Sequence, residues 1–265
     1  MRSFLKQRKN LNICTDLILK MVSKDSPALL VFSSGTGDAP PKPMIYSVKD
    51  LETMKSGVKR IYDICKSSGV FYNLIPFAPH MAIYFANYYG EVSGSLMVNT
   101  GGGKHFTTEK TIGLMKNIVP EIIAGMPSYI LKVLEEAKKS GVNLTKVMHV
   151  WGANGINDDF ITKIKGFCPN AEILATYGFT EARCAWTTCK DKEQGYHVFP
   201  ESGRFESDEN TGELIFFSDH YPDGFKTGDK GEILEGDKCP NCGMKCQRIG
   251  FKITRLDGKV KNYDL

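Results

Sequence analysis

Three stretches of this chain carry side chains suited to phosphate chemistry. The first, VFSSGTGDAPPKPM, occupies residues 31–44. Ser33, Ser34 and Thr36 alternate there with Gly35 and Gly37, so hydroxyls and glycine-freed backbone N–H groups can both donate to phosphate oxygens. The stretch does not fit G-x-x-x-x-G-K-[ST], which excludes a P-loop NTPase at this place; a flexible surface turn is the competing reading. The second, ATYGFTEA at 175–182, offers a ring to stack on a base (Tyr177), a hydroxyl for a phosphate (Thr180) and a carboxylate for Mg²⁺ (Glu181). Its alternative is a strand exit with an ordinary surface glutamate. The third, KTGDKGEI at 226–233, places Asp229 in a turn where a carboxylate can accept both hydroxyls of a ribose, although hairpin turns share this composition. A fourth stretch, KCPNCGMKC at 238–246, has a different chemistry. Its C-x-x-C pair can supply half of a tetrahedral Zn²⁺ site, the alternative being free thiols around a turn. A redox pair is disfavoured, because no helix is predicted to begin there and lower a thiol pKa.

The elements needed to position these groups can be read from periodicity. Residues 28–32 and 44–47 read as strands, and SVKDLETMKSGVKRIYDICKSS as a helix. Ser47 and Asp50 cap that helix, and Leu51, Met54, Val58, Ile61 and Cys65 recur along one face. Strand and helix then alternate: GVFYNLI, HMAIYFANYYG, SLMVNT, TTEKTIGLMKNIV, EIIAG, MPSYILKVLEEAKKSG, KVMHVWG, NDDFITKIKGF and AEILATYG. This alternation predicts an α/β fold, a mostly parallel sheet flanked by helices on both faces. After about residue 183 only short strands follow (YHVFP, GELIFFS, GEILEG, CQRIGFKITRL), predicting a small β-rich subdomain. The expected division is 1–183 for the α/β nucleotide-binding domain and 184–265 for the β-rich part. Ligands in open α/β sheets collect at the carboxyl ends of strands, where ATYGFTEA falls.

Composition narrows the function classes. The chain has 265 residues and a net charge of +4, from 34 basic and 30 acidic side chains, with no clustered basic face for nucleic acid. No apolar run is long enough for a membrane span. The start, MRSFLKQRKNLNICTDLILKMVSK, is broken by polar residues and reads as an amphipathic helix rather than a signal peptide, with Ile13, Leu17, Ile18, Met21 and Val22 on one side. A cytoplasmic location is therefore expected, and with it eight cysteines that are thiols or metal ligands rather than disulfides.

In this order, SSGTGDAPPKP, YGFTEA, TGD and RLDGKVK resemble the successive core motifs of the adenylate-forming superfamily of acyl-CoA synthetases. GMPSYILKVLEEAKKSG, VWGAN, YGFTEA, the stretch from Cys189 to GYHVFPE, and CPNCG are most similar to the phenylacetate–CoA ligase branch; acyl-protein synthetases are a less close match. The resemblance implies that Ser33, Ser34, Gly35 and Thr36 cradle the ATP phosphates. Gly152, Ala153 and Asn154, with Tyr177 and Gly178, would hold the adenine. Thr180 would contact the α-phosphate, Glu181 would hold Mg²⁺, Asp229 and Arg255 would hold the ribose, and Asp257 would sit at a hinge. The aromatic-rich region PFAPHMAIYFANYY would line an acyl pocket for an aryl or other apolar carboxylic acid, through Tyr72, His80 and Tyr84, although an aromatic stripe also suits a core. A structural Zn²⁺ on Cys189, His197, Cys239 and Cys242 is implied as well, with Cys246 in reserve. The reaction implied is formation of acyl-AMP from a carboxylate and ATP, followed by transfer of the acyl group to a thiol such as coenzyme A.

Two departures bear on activity. Where the family pattern has Thr-Thr-Gly, this chain has Thr36, Gly37 and Asp38, which puts a negative charge near the triphosphate path. The sequence also stops at Leu265, just past the expected hinge and before the small domain that carries the family's catalytic lysine; Lys259 and Lys261 lie in too short a tail to replace it. The expectation is therefore an enzyme that is impaired or depends on a separate chain for that domain. The alternative is a non-catalytic module that binds nucleotide or acyl-adenylate. A zinc-ribbon nucleic-acid binder leaves residues 28–183 unexplained.

Overall fold

The computed structural model describes residues 27–32, 43–77, 81–153 and 156–258. Strands β1 (Pro27–Phe32) and β2 (Pro43–Ser47) pair antiparallel. Helix α1 (Val48–Cys65) starts on the expected capping box, with the Ser47 hydroxyl accepting from the Asp50 N–H and the Asp50 carboxylate accepting from the Ser47 N–H. Its Met54, Val58 and Ile61 are buried, as the helical spacing requires.

The alternating part follows as β3 (Val70–Asn73), α2 (Ala82–Ser93), β4 (Leu96–Asn99), α3 (Thr108–Met115), β5 (Ile122–Gly125), α4 (Pro127–Lys139), β6 (His149–Ala153), α5 (Asp158–Phe167) and β7 (Glu172–Phe179). The rest comprises β8 (Cys184–Thr188), β9 (Tyr196–Val198), β10 (Arg204–Ser207), β11 (Glu213–Ser218), β12 (Tyr221–Lys230), β13 (Ile233–Leu234), β14 (Gln247–Ile249) and β15 (Thr254–Arg255).

Nine of these strands form one sheet in the order β13-β14-β9-β8-β7-β6-β5-β3-β4. From β4 to β7 all pairs are parallel; from β7 to β13 all are antiparallel. The sheet is thus mixed, parallel in one half only. The expected boundary after residue 183 falls inside it, because β7 and β8 pair directly across that point. A separate sheet, β10-β11-β12-β15, is antiparallel.

The chain leaves β3 toward β4, then crosses back to β5 and continues to β7. Right-handed crossovers running in opposite directions place their helices on opposite faces. Accordingly α1 and α2 pack over one face with Phe71, Ile122 and Trp151, and α3, α4 and α5 over the other with Tyr72, Ile123 and Val150. These sheet residues alternate with period two, so both faces are apolar, as a sheet covered on both sides demands. The first core continues into the second sheet through Phe205, Leu214 and Phe216.

Candidate functional site

The carboxyl ends of β6 and β7 lie side by side. Gly152 pairs with Ala175 and Ala153 with Thr176, and the Thr176 hydroxyl donates to the Gly152 carbonyl at 3.2 Å. Gly152 lets the Ile156 side chain lie close: a Cβ there would come within 2.6 Å of its Cδ1, and the side chain would have to shift. From the end of β7 the chain enters a single helical turn, Thr180–Ala182, that carries Thr180 and Glu181. Glu181 is half-buried, and among the described residues no donor bonds its carboxylate. A half-buried carboxylate left open by the protein suits a hard cation such as Mg²⁺.

Tyr177 and Asp229 meet although 52 residues separate them in sequence: the Tyr177 hydroxyl donates to Asp229 Oδ2 at 2.9 Å. Burial, reinforced by the Asp229 carboxylate, pushes the Tyr177 pKa well up, so the phenol remains a donor. Its ring is packed among Trp186, Tyr196 and Phe205 and is 3% exposed, so the side chain reaches the site through its hydroxyl and Asp229. Gly178, next in the strand, has Ala185 Cβ only 3.0 Å from where its own Cβ would stand.

Asp229 is buried, and its Oδ1 accepts from Arg255 Nη1 at 3.0 Å. The register pairs Asp229 with Arg255 across β12 and β15. The turn before Asp229 is built for this approach. Thr227 Oγ1 donates to the Leu214 carbonyl and accepts from the Asp229 N–H, while the Gly228 N–H donates to Glu213. Gly228 has φ +70°, which favours glycine, and a Cβ there would also crowd the Arg255 guanidinium at 3.0 Å. Asp257 lies 4.0 Å from Arg255 Nε.

Of the residues expected to line an acyl pocket, Tyr72 and Tyr84 separate. Tyr72 is fully buried in the second core, with its hydroxyl on the Ile118 carbonyl at 2.8 Å. Tyr84 is 40% exposed on α2. Ser33, Ser34, Gly35, Thr36, Asp38, His80, Asn154, Lys259 and Lys261 lie outside the described residues, as does the N-terminal segment read as a helix.

The cysteine cluster converges. One ligand atom from each of Cys189, His197, Cys239 and Cys242 lies within 4.8 Å of all the others. Cys189 and Cys239 sulfurs are 3.9 Å apart, and Cys242 Sγ is 3.2 Å from His197 Nε2. A tetrahedral zinc with ~2.3 Å bonds to sulfur has edges of about 3.8 Å, so the donor set and its spacing fit Zn²⁺. Burial holds the His197 pKa below its ordinary value and the ring neutral, the form that ligates metals. For Cys239 burial acts in the opposite sense, but N–H groups of Cys242 and Asn241 outweigh it and lower its pKa. Cys246 is buried and stands outside the set of four.

Four residues that sequence reasoning did not place at the site adjoin it: Tyr46, Asp50 (read only as a cap), Arg183 and His220. Tyr46 donates to the Thr180 carbonyl at 2.7 Å, and Asp50 receives both Arg183 and His220. These contacts span 133 to 170 positions, and no local spacing signals them.

A family model described as AMP-binding enzyme matches residues 5–216. The chain belongs to the AMP-binding enzyme family. Within that family it is similar to the phenylacetate–coenzyme A ligase of Aromatoleum evansii, with 32% identity over 126 residues that make up 46% of this chain and 27% of the ligase. Among solved structures it resembles 2-hydroxyisobutyryl-CoA ligase in the postadenylation state in complex with R3-HIB-AMP, with a TM-score of 0.70 and 12% identity over 87% of this chain and 52% of that one. It also resembles the luciferase-like enzyme of the nonluminescent mealworm Zophobas morio, with a TM-score of 0.57 and 15% identity over 86% of this chain and 58% of that one. The chain thus has the fold of these solved enzymes and spans about half the length of each.

Proposed function

We propose that this chain is the nucleotide-binding core of an AMP-forming acid–thiol ligase. The observation that carries the reading is the linked arrangement at the carboxyl ends of β6 and β7. Gly152 bonds Thr176, Tyr177 bonds Asp229, Asp229 bonds Arg255, and the Thr180–Ala182 turn follows directly. In this reading ATP lies with its adenine along Gly152, Ala153, Asn154 and Gly178, and its ribose hydroxyls on Asp229. Tyr177 and Arg255 fix the rotation of that carboxylate. Ser33, Ser34, Gly35 and Thr36 would donate to the phosphates.

An acid carboxylate would attack the α-phosphorus, pyrophosphate would leave, and the acyl group would then pass from acyl-AMP to the thiol of coenzyme A. Thr180 would orient the α-phosphate, and Glu181 would hold Mg²⁺, which when bound neutralises charge on the phosphate oxygens. The acid proposed is aryl or otherwise apolar, met by His80 and the exposed Tyr84; Tyr72, buried in the core of the opposite face, is left out of that pocket. Zn²⁺ on Cys189, His197, Cys239 and Cys242 would have a structural role. Two anions meet in the attack, so a further cation is needed. We propose that it comes from a C-terminal domain beyond these 265 residues, in the same or a separate chain.

ATP–pyrophosphate exchange over a panel of aryl and fatty acids tests this, run with the 265-residue protein alone and fused to the C-terminal domain of a related ligase. The expected result is acid-dependent exchange, led by aryl acids and raised on the order of a hundredfold by the fusion. Saturable nucleotide binding without exchange for any acid in either form would instead make the protein a non-catalytic binding module.

A further inference from the structure

The Thr180–Ala182 turn is gripped from behind by groups that the proposed reaction does not use. Tyr46 on β2 is 1% exposed, and its hydroxyl donates to the Thr180 carbonyl at 2.7 Å. Burial pushes its pKa up, so the hydroxyl keeps its proton. Arg183 closes the turn with its N–H on the Thr180 carbonyl and a φ of 56°, left-handed backbone that costs a non-glycine residue free energy. Its guanidinium turns inward. Nη1 donates to the Glu181 carbonyl at 3.4 Å, Nη2 lies 3.5 Å from the Ile45 carbonyl, Nε stands 3.3 Å from Asp50 Oδ2, and the plane covers the Tyr46 ring at 5.6 Å. Asp50 is fixed in turn by the Ser47 N–H at 2.8 Å and by His220 Nε2 at 2.6 Å.

The anchors are thus β2, the first turn of α1, and the turn between β11 and β12. Strand β2 therefore holds the turn that carries Thr180 and Glu181, through the Tyr46 hydroxyl and the Ile45 carbonyl. The Arg183 side chain is 10% exposed and its charge is already paired with Asp50, so it is poorly placed to meet a phosphate.

We propose that Tyr46 and Arg183, anchored by Asp50, are positioning residues that hold the Thr180–Ala182 turn, with Thr180 and Glu181 on it, in place for a metal–triphosphate. This rests on the proposed function above. A purely structural ion pair would matter to stability and affect every ligand alike; a positioning role is selective for ligands that carry phosphates and metal.

The test uses the full chain with Tyr46→Phe, which keeps the ring and removes one oxygen, and Arg183→Lys, which keeps the charge and removes the planar fork. Calorimetric titration compares ATP·Mg²⁺ with adenosine, and amide hydrogen exchange over residues 179–184 is followed without any ligand. Both variants are expected to lose affinity for ATP·Mg²⁺ by roughly tenfold, the scale of one hydrogen bond, to hold adenosine within about twofold, and to exchange faster at the turn. Equal losses for both ligands, or no loss for either, would overturn the proposal. If the unsubstituted protein binds no nucleotide, the proposed function fails on its own account. Hydrogen exchange then still decides the grip on the turn: unchanged protection in both variants would overturn it.

Discussion

Asp50 shows how much one residue can carry. It caps α1, pairs with Arg183 and accepts from His220. Burial alone would raise its pKa, but the bonds from His220 and the Ser47 N–H, with the Arg183 charge, outweigh it and lower the carboxyl from 3.8 to about 2. A depressed carboxyl pKa stabilises the folded state above the unfolded value, and that contribution is lost as the pH falls through the folded one. The window therefore runs from about pH 4 down to about pH 2, and the contribution is on the order of 2 kcal/mol. Asp50→Asn should be less stable than the unsubstituted protein at pH 6 and should lose less on acidification below pH 4. Thermal melts between pH 6 and pH 2 check this, and parallel curves would show that Asp50 does not titrate as described. The cap was legible because Ser47 and Asp50 stand three positions apart on one turn. The ion pair was not, because Arg183 reaches Asp50 from 133 positions away.

At the scale of elements, the parallel half of the sheet was readable from alternating apolar strands and amphipathic helices, which bury whole faces. The antiparallel half was less so. β12 (Tyr221–Lys230) contains Pro222, Asp223 and two glycines, the composition of a turn, and takes strand geometry by pairing with β11, across two irregularities in register, and with β15. CQRIGFKITRL reads as one strand but divides into β14 and β15, which join different sheets. Part of this half is gathered by the cysteine–histidine set, in which the 239–242 loop meets the end of β8 and His197 on β9. The C-x-x-C pair was evident from spacing, whereas its partners came from family resemblance, since 50 positions separate Cys189 from Cys239. Protein purified under reducing conditions should carry close to one zinc per chain by elemental analysis. Chelation should raise hydrogen exchange in residues 235–247 before the parallel strands open. Metal-free protein with that loop already protected would contradict the assignment.

At the scale of the whole molecule, the proposed nucleotide would join two sheets. β6 and β7 of the larger sheet offer Gly152, Ala153 and the Thr180–Ala182 turn, while β12 and β15 of the smaller sheet offer Asp229 and Arg255, and Tyr177 bridges them through its hydroxyl. A ligand that engages both sides binds only where the fold has brought them together, and so reports on the arrangement as a whole. The most direct measurement is calorimetric titration of the 265-residue protein and its Asp229→Ala variant with AMP and with ATP·Mg²⁺. Saturable binding is predicted for the unsubstituted protein, weakened in Asp229→Ala by about 1–3 kcal/mol, the loss expected for hydrogen bonds to a charged group. Absence of binding at millimolar nucleotide, or equal affinity in the variant, would contradict the account.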